Sequence, residues 1–244
     1  MRAVQNILRS LRNLVCPKRC IFCRSILNLT AEGRVCFDCS GKLPFYIATP
    51  HCKKCGRPVG DQNKYCEECA GKTAEFSELY APFLYTEPVR GAILRYKNED
   101  YRGYAKTLAQ YMAVILEYEN KKTEFDYIVA VPPRIGRIRK INYDQVARLA
   151  KCLSREINVP FLRGVLKQKE KRQKQSSLSA AERSENVKGN FAVIKPEEIT
   201  GKKILLIDDV CTTGSTLREC AKMLKKAGAR LVHCLVIAVS EGGE

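Results

Sequence analysis

A chain of 244 residues with 45% apolar and 28% charged residues has the balance of a folded protein and not of a disordered one. No stretch approaches the roughly 18 consecutive apolar residues of a membrane-spanning helix, so an integral membrane protein is not expected. Two excesses need a cause: a formal charge of +17, and 13 cysteines alongside only two histidines and no tryptophan.

In chain order, Val4, Ile7, Leu8, Leu11, Leu14 and Val15 share one stripe of a helix expected over residues 3–15, with Arg2, Arg9 and Arg12 elsewhere. Nine of the 13 cysteines then lie before residue 70, eight of them in four Cys-x-x-Cys pairs: Cys20/Cys23, Cys36/Cys39, Cys52/Cys55 and Cys66/Cys69. Such a turn brings two thiolates to one tetrahedral ion, and a second pair about ten residues on completes the site. Turn formers sit where the knuckles need them, in Cys55-Gly56-Arg57-Pro58 and at Gly33 and Gly41. Disulfides are the competing reading, but the first residues build no apolar signal core, which points to a reduced, cytoplasmic chain. Two structural zinc ions are therefore expected, the first on Cys20, Cys23, Cys36 and Cys39 and the second on Cys52, Cys55, Cys66 and Cys69, with interleaved pairing left open. Four thiolates leave no open position, so these sites are structural and not catalytic. Cys16 and His51 lie beside the pattern; either could substitute as a ligand, with bystander the favoured role.

The pattern changes after residue 75, and two units are expected: a helix and cysteine module over 1–75 and an α/β unit over 76–244. Phe125–Pro132 reads as a buried strand, 144–156 as an amphipathic helix and 203–207 as a second buried strand. Residues 215–227 read as a helix stopped by Gly228, and 231–239 as a last strand. Short apolar strands alternating with helices imply a parallel sheet covered on both faces, with ligands bound beyond the carboxyl ends of its strands.

The segment at that position is Ile204-Leu-Leu-Ile-Asp-Asp-Val-Cys-Thr-Thr-Gly-Ser-Thr-Leu217. Backbone N–H groups around Gly214, the hydroxyls of Thr212, Thr213, Ser215 and Thr216, and the start of a helix together suit an anion. Asp208 and Asp209 would repel a bare phosphate, yet they accept hydrogen bonds from vicinal hydroxyls. A ribose 5-phosphate satisfies both halves. The loop lacks the Gly-Lys-Ser/Thr ending of a triphosphatase loop, and too little chain follows Asp209 for a receiver domain.

Leu206–Thr216 resembles the signature loop of type I phosphoribosyltransferases. The upstream chain resembles the ComF family of competence-related proteins, which join zinc ribbons to that domain. The resemblance rests on Tyr85-Thr-Glu-Pro-Val-Arg-Gly-Ala-Ile-Leu-Arg-Tyr-Lys97, on Val129–Pro132 leading to Asp144-Gln145, and on Gln175–Phe191. It implies a type I phosphoribosyltransferase-like parallel sheet preceded by a double zinc ribbon, and 5-phosphoribosyl 1-pyrophosphate bound with magnesium. Asp208 and Asp209 would take the ribose hydroxyls and Thr212, Thr213, Gly214, Ser215 and Thr216 the 5-phosphate. Pro133 and Arg134 would approach the diphosphate, Lys97 joins the donor-binding set, and a basic hood would come from the segment between Lys167 and Lys188. Two departures stand out: Ile141-Asn142-Tyr143 replaces the usual Arg-Gly-Phe, and Thr212 stands where purine-salvage relatives carry a third Asp. Purine salvage is disfavoured.

Charge is concentrated at two places, +7 over residues 1–75 and +10 over 134–174, while the rest balances. A polyanion fits such stretches, and the resemblance implies single-stranded DNA handling in natural transformation, with other competence proteins as partners. Tyr143 and Phe161 are candidate base-stacking residues, with core packing the competing role. An active phosphoribosyltransferase, resembling an amidophosphoribosyltransferase and using an unidentified base or amine acceptor, is the alternative, and a zinc-ribbon adaptor for other proteins a third.

Overall fold

A computed structural model describes residues 17–28, 33–46, 50–52, 54, 56, 59–60, 65–67, 69–70, 75–98, 102–122, 124–133, 144–169 and 189–240. The helix expected over 3–15, Cys16, Cys55, Arg134, Tyr143 and most of the expected basic hood lie outside these residues. The elements run α1 (Phe37–Ser40), β1 (Leu79–Tyr80), β2 (Phe83–Leu84), α2 (Val89–Asn98), α3 (Arg102–Tyr118), β3 (Tyr127–Ala130) and α4 (Gln145–Ile157). There follow β4 (Leu166–Gln168), β5 (Phe191–Val193), β6 (Lys203–Ile207), β7 (Val210–Cys211), α5 (Ser215–Lys226), β8 (Leu231–Leu235) and β9 (Ala238–Val239).

Four parallel strands pair in the order β1-β8-β6-β3. Their run of branched apolar residues follows from burial on both faces. Leu205, Ile207 and Leu235 face a core shared with α2, α3 and α4, while Ile204, Leu206, Val232 and Cys234 face Leu217, Ala221 and Leu224 of α5. Helix α4 begins where the Asp144 carboxylate accepts from Ala147 N at 2.9 Å and ends at Asn158 in the left-handed region, as a side-chain cap and an αL terminus dictate.

The strand expected over 231–239 is two strands. After Leu235 the backbone leaves β6: Val236 N donates to Tyr80 O (3.0 Å) and Ile237 N to Asp209 O (2.9 Å). Pairing then resumes in a second parallel set, β2-β9-β7. That order repeats β1-β8-β6 one level higher, so three adjacent strands are interrupted together, at 81–82, 236–237 and 208–209. The acid pair fills the interruption in the β6 chain. Beyond the sheet, β4 and β5 form an antiparallel ribbon whose register pairs Leu166 with Val193 and Gln168 with Phe191.

The apolar core runs through residue 75. Ile21, Phe22, Leu27 and Leu43 bury in the same cluster as Phe83, Leu108 and Met112, and Phe22 meets Phe83 and Tyr111 edge-on at 6.0 and 6.2 Å. Among the described residues no helix is long and apolar enough to cross a membrane.

Candidate phosphate site and cysteine clusters

Asp208 and Asp209 are placed by backbone bonds made across the strand interruption. Asp208 N donates to Leu235 O (3.2 Å), and Asp209 N donates to the Asp208 side chain (2.8 Å). Both carboxylates are half-buried at the carboxyl end of β6. Lys97, at the end of α2, reaches across and sets its Nζ 2.8 Å from Asp209 Oδ1, both side chains being largely shielded from water. The carbonyl of Lys97 accepts from Gln145 Nε2 at 2.6 Å, and Tyr96 donates its hydroxyl proton to Gln145 O at 2.5 Å. Gln145 is buried, and the bonds through it pin the end of α2 to the start of α4.

The hydroxylated loop follows β7. Gly214 takes φ +69 immediately before α5 and, as the N-cap, brings no capping side chain; only a long 3.4 Å contact runs from Ser215 N to Thr213 Oγ1. A first turn without a cap offers N–H groups and the positive end of the helix dipole to an anion. Thr213 Oγ1 and Ser215 Oγ lie 3.0 Å apart, with Thr212 exposed and Thr216 half-buried beside them. Arg218, one turn into α5, donates to the carbonyl of Thr213. A carbon added at Gly214 would meet its guanidinium at 3.3 Å. Sequence reading passed over Arg218 because one cation inside a helix looks like surface; its spacing of four from Gly214 was the available signal. Val131 N donates to Ile207 O at 2.9 Å, which sets Pro132 and Pro133 alongside the acid pair. The β4–β5 ribbon brackets the expected hood, and its second arm is fastened where Gly189 N donates to the buried Glu219 of α5 at 2.7 Å.

In the cysteine-rich half the thiol sulfurs of Cys20, Cys23, Cys36 and Cys39 lie within 4.8 Å of one another, and so do those of Cys52, Cys66 and Cys69. The first four come from consecutive pairs, not interleaved ones. Tetrahedral Zn–S bonds of about 2.3 Å put sulfurs about 3.8 Å apart, and Cys23 and Cys36 stand at 3.6 Å, so the donors fit zinc. All four knuckles close with the same bond: Arg24, Ser40, Gly56 and Ala70 donate N–H to the carbonyls of Cys20, Cys36, Cys52 and Cys66 at 3.0, 3.0, 2.8 and 2.8 Å. Backbone N–H groups also point at sulfur, from Cys36 to Cys20 Sγ and from Cys39 to Cys36 Sγ, each at 3.4 Å. The Ser25 side chain beside Cys23 draws that thiol down to about 6, toward the thiolate a cation needs. Gly56 has φ +79, and a side chain there would strike Leu79 at 2.9 Å and Val239 at 3.0 Å, so glycine is required twice over.

The remaining described thiols are inert by placement. Burial pushes Cys220 and Cys234 well above the usual thiol range, and Cys211, inside the phosphate-loop segment, is buried. A nucleophile needs exposure and a depressed value.

Residues 143–243 match the phosphoribosyl transferase domain family and residues 11–70 match the double zinc ribbon domain family. With a parallel sheet that presents an acid pair and an uncapped loop at its carboxyl edge, the chain is a phosphoribosyltransferase-fold protein carrying an amino-terminal double zinc ribbon. It is 28% identical over 219 residues to Competence protein F of Haemophilus influenzae, covering 88% of this chain and 94% of that protein. It is 28% identical over 223 residues to the DNA utilization protein YhgH of Escherichia coli strain K12, with coverages of 90% and 96%. It is 27% identical over 215 residues to Competence protein ComFC of Streptococcus pneumoniae, with coverages of 86% and 89%. The chain is thus similar over most of its length to proteins named for competence and DNA utilization.

Proposed function

We propose that this protein binds 5-phosphoribosyl 1-pyrophosphate with magnesium at the carboxyl edge of its sheet, and that it serves single-stranded DNA handling during DNA uptake. The observation that carries the first half is the lodging of two carboxylates in a strand interruption, one two-residue strand away from an uncapped, hydroxyl-rich helix start. An anion and a polyol are wanted side by side, and a phosphorylated ribose supplies both. Asp208 and Asp209 accept the ribose hydroxyls, and residues 212–216 hold the 5-phosphate. Lys97, whose Nζ lies 2.8 Å from Asp209 Oδ1, would share its ammonium between that carboxylate and the diphosphate, which the Pro133-Arg134 turn would also approach. Magnesium supplies the neutralisation that lets a diphosphate sit near two carboxylates.

The second half rests on the relatives named for competence and DNA utilization and on the +7 and +10 stretches.

Calorimetric titration tests both halves. The donor is expected to bind with magnesium and to lose at least tenfold in affinity in Asp209→Asn, the scale of one charged hydrogen bond; equal affinity in the variant sinks the site. Single-stranded DNA is expected to bind with a steep loss of affinity as salt rises, and a flat salt dependence sinks the DNA role. Pyrophosphate released on adding a base or amine would extend the reading to a transferase: the C1–O bond breaks with its electron pair leaving on the diphosphate, a C1–N bond forms, and the acceptor releases its proton.

A further inference from the structure

Helix α2 stands between the first cysteine cluster and the acid pair, and it holds each with a cation. On its amino-terminal-half side, Arg95 Nη2 donates to Ile21 O at 2.9 Å and to Phe22 O at 2.7 Å. These are the two carbonyls inside the Cys20-Ile-Phe-Cys23 knuckle. Two residues on, Lys97 grips Asp209 at 2.8 Å. Residues two apart on a helix point about 200° away from one another, so the two grips act on opposite sides of one rigid element.

Three observations make these more than basic residues complementing a helix carboxyl terminus. Arg95 Nε is buried with no hydrogen-bond partner, so the guanidinium is oriented for the knuckle at the expense of its own remaining donor. Gly91, one turn earlier, leaves the room this orientation needs: a carbon there would lie 3.1 Å from Arg95 Nη1 and 2.9 Å from Glu87 Oε2. Tyr96, which lies between the two cations, and the Lys97 carbonyl are both bonded to Gln145, so the turn that carries both grips is one ordered unit.

We infer that α2 is a strut coupling the first cysteine cluster to the acid pair, with Arg95 as the positioning residue that sets where Lys97 rests on Asp209. Metal loss at the first cluster then weakens the ribose-phosphate site, and changes at the acid pair loosen the metal, since coupling between two binding equilibria is reciprocal. This inference rests on the donor-binding reading for its functional meaning, but one arm of its test needs no donor.

The experiment measures two quantities in the full chain: zinc retained against a fixed concentration of chelator, and donor affinity with magnesium. Arg95→Met is expected to retain less zinc and to bind donor about tenfold more weakly, and Arg95→Lys to recover part of both. Gly91→Ala, which displaces the guanidinium without removing it, covers the case in which Arg95→Met does not fold. Weaker zinc retention with donor affinity unchanged would make Arg95 a ribbon fastener only and overturn the coupling. Lys97→Met, which removes no contact to a cysteine knuckle that Arg95 makes, is expected to retain less zinc in the absence of donor; retention equal to wild type overturns the coupling as well. If wild-type protein binds no donor, the functional reading fails, and the Lys97→Met arm still decides the strut.

Discussion

In the cysteine-rich half each tight turn is closed by a backbone bond onto a cysteine carbonyl, and the turns are drawn together two by two by their sulfurs. In the α/β half the tight turns at 208–209 and 212–214 hang from strands whose residues Ile204, Leu205, Leu206 and Ile207 are wholly buried. One half borrows its order from ligands and the other makes its own from apolar area. The difference follows from composition, because a short segment rich in Cys, Lys and Arg cannot bury enough surface to fold alone. The apolar residues it does have, Ile21, Phe22, Leu27 and Leu43, are spent on the other half's core. Zinc on the cysteine clusters would thus fasten the ribbon from within, as apolar contact fastens it from without.

Metal removal is the largest perturbation of that arrangement. Structural zinc in zinc-finger peptides is worth about 10–16 kcal/mol at neutral pH, comparable to or above the usual net stability of a domain. Stripping both ions with a strong chelator is expected to unfold the cysteine-rich half and to lower the melting temperature of the α/β half with it, because Phe83 and Tyr111 lose the cover of Phe22. Calorimetry separates the outcomes: an α/β transition unmoved by chelation would show that the shared core contributes nothing.

The apolar fastening has its own, smaller test. Phe22 is 3% exposed and Phe37, in the second knuckle of the same cluster, is 92% exposed. Truncating a buried phenylalanine costs about 3–5 kcal/mol, whereas an exposed one changes stability by about 0.5 kcal/mol or less. Urea unfolding with zinc present is expected to show the full loss for Phe22→Ala and almost none for Phe37→Ala. Similar losses in both would place the ribbon's stability in the metal alone.

The same contrast explains what the sequence discloses. The cysteine spacing announces its clusters because ligand chemistry demands fixed residues at fixed intervals, and the run from Ile204 to Leu217 marks the candidate phosphate site for the same reason. Helices α2 and α3 went unassigned: the residues up to Lys97 read as family resemblance before they read as periodicity, and Arg95, Tyr96 and Lys97 divide their duties over three directions. The grip of Arg95 on two carbonyls leaves no trace in sequence, since backbone acceptors exist at every position. The split of 231–239 into β8 and β9 is silent too, because Val236 and Ile237 are as apolar and buried as the strand residues around them. Only the neighbouring interruptions at 81–82 and 208–209 make that break, and pairing partners are not written locally.

The smallest effect concerns the polar atoms that the α/β half buries without any metal. His233 on β8 is 3% exposed, with Nδ1 3.0 Å from the Tyr80 hydroxyl, and that hydroxyl donates to Glu78. Tyrosine has one proton to give, so His233 Nδ1 carries its own and donates to the tyrosine oxygen. Burial lowers the His233 value from its usual range, outweighing the attraction of Glu78 and Glu124, with Lys121 and Lys225 lowering it further. The folded chain therefore holds this imidazole neutral, while the unfolded chain protonates it near 6.5. Between those two values the unfolded state binds more protons, so stability from this group falls as pH drops below about 6.5 and is fully present above it. The slope cannot exceed about 1.4 kcal/mol per pH unit for one proton. Urea midpoints measured from pH 7.5 down to 5.0 are expected to fall more steeply in wild type than in His233→Gln, which has no titrating ring. Parallel curves would mean that the imidazole takes up its proton without leaving the fold, and that the buried cluster around Tyr80 tolerates charge as the cysteine clusters do.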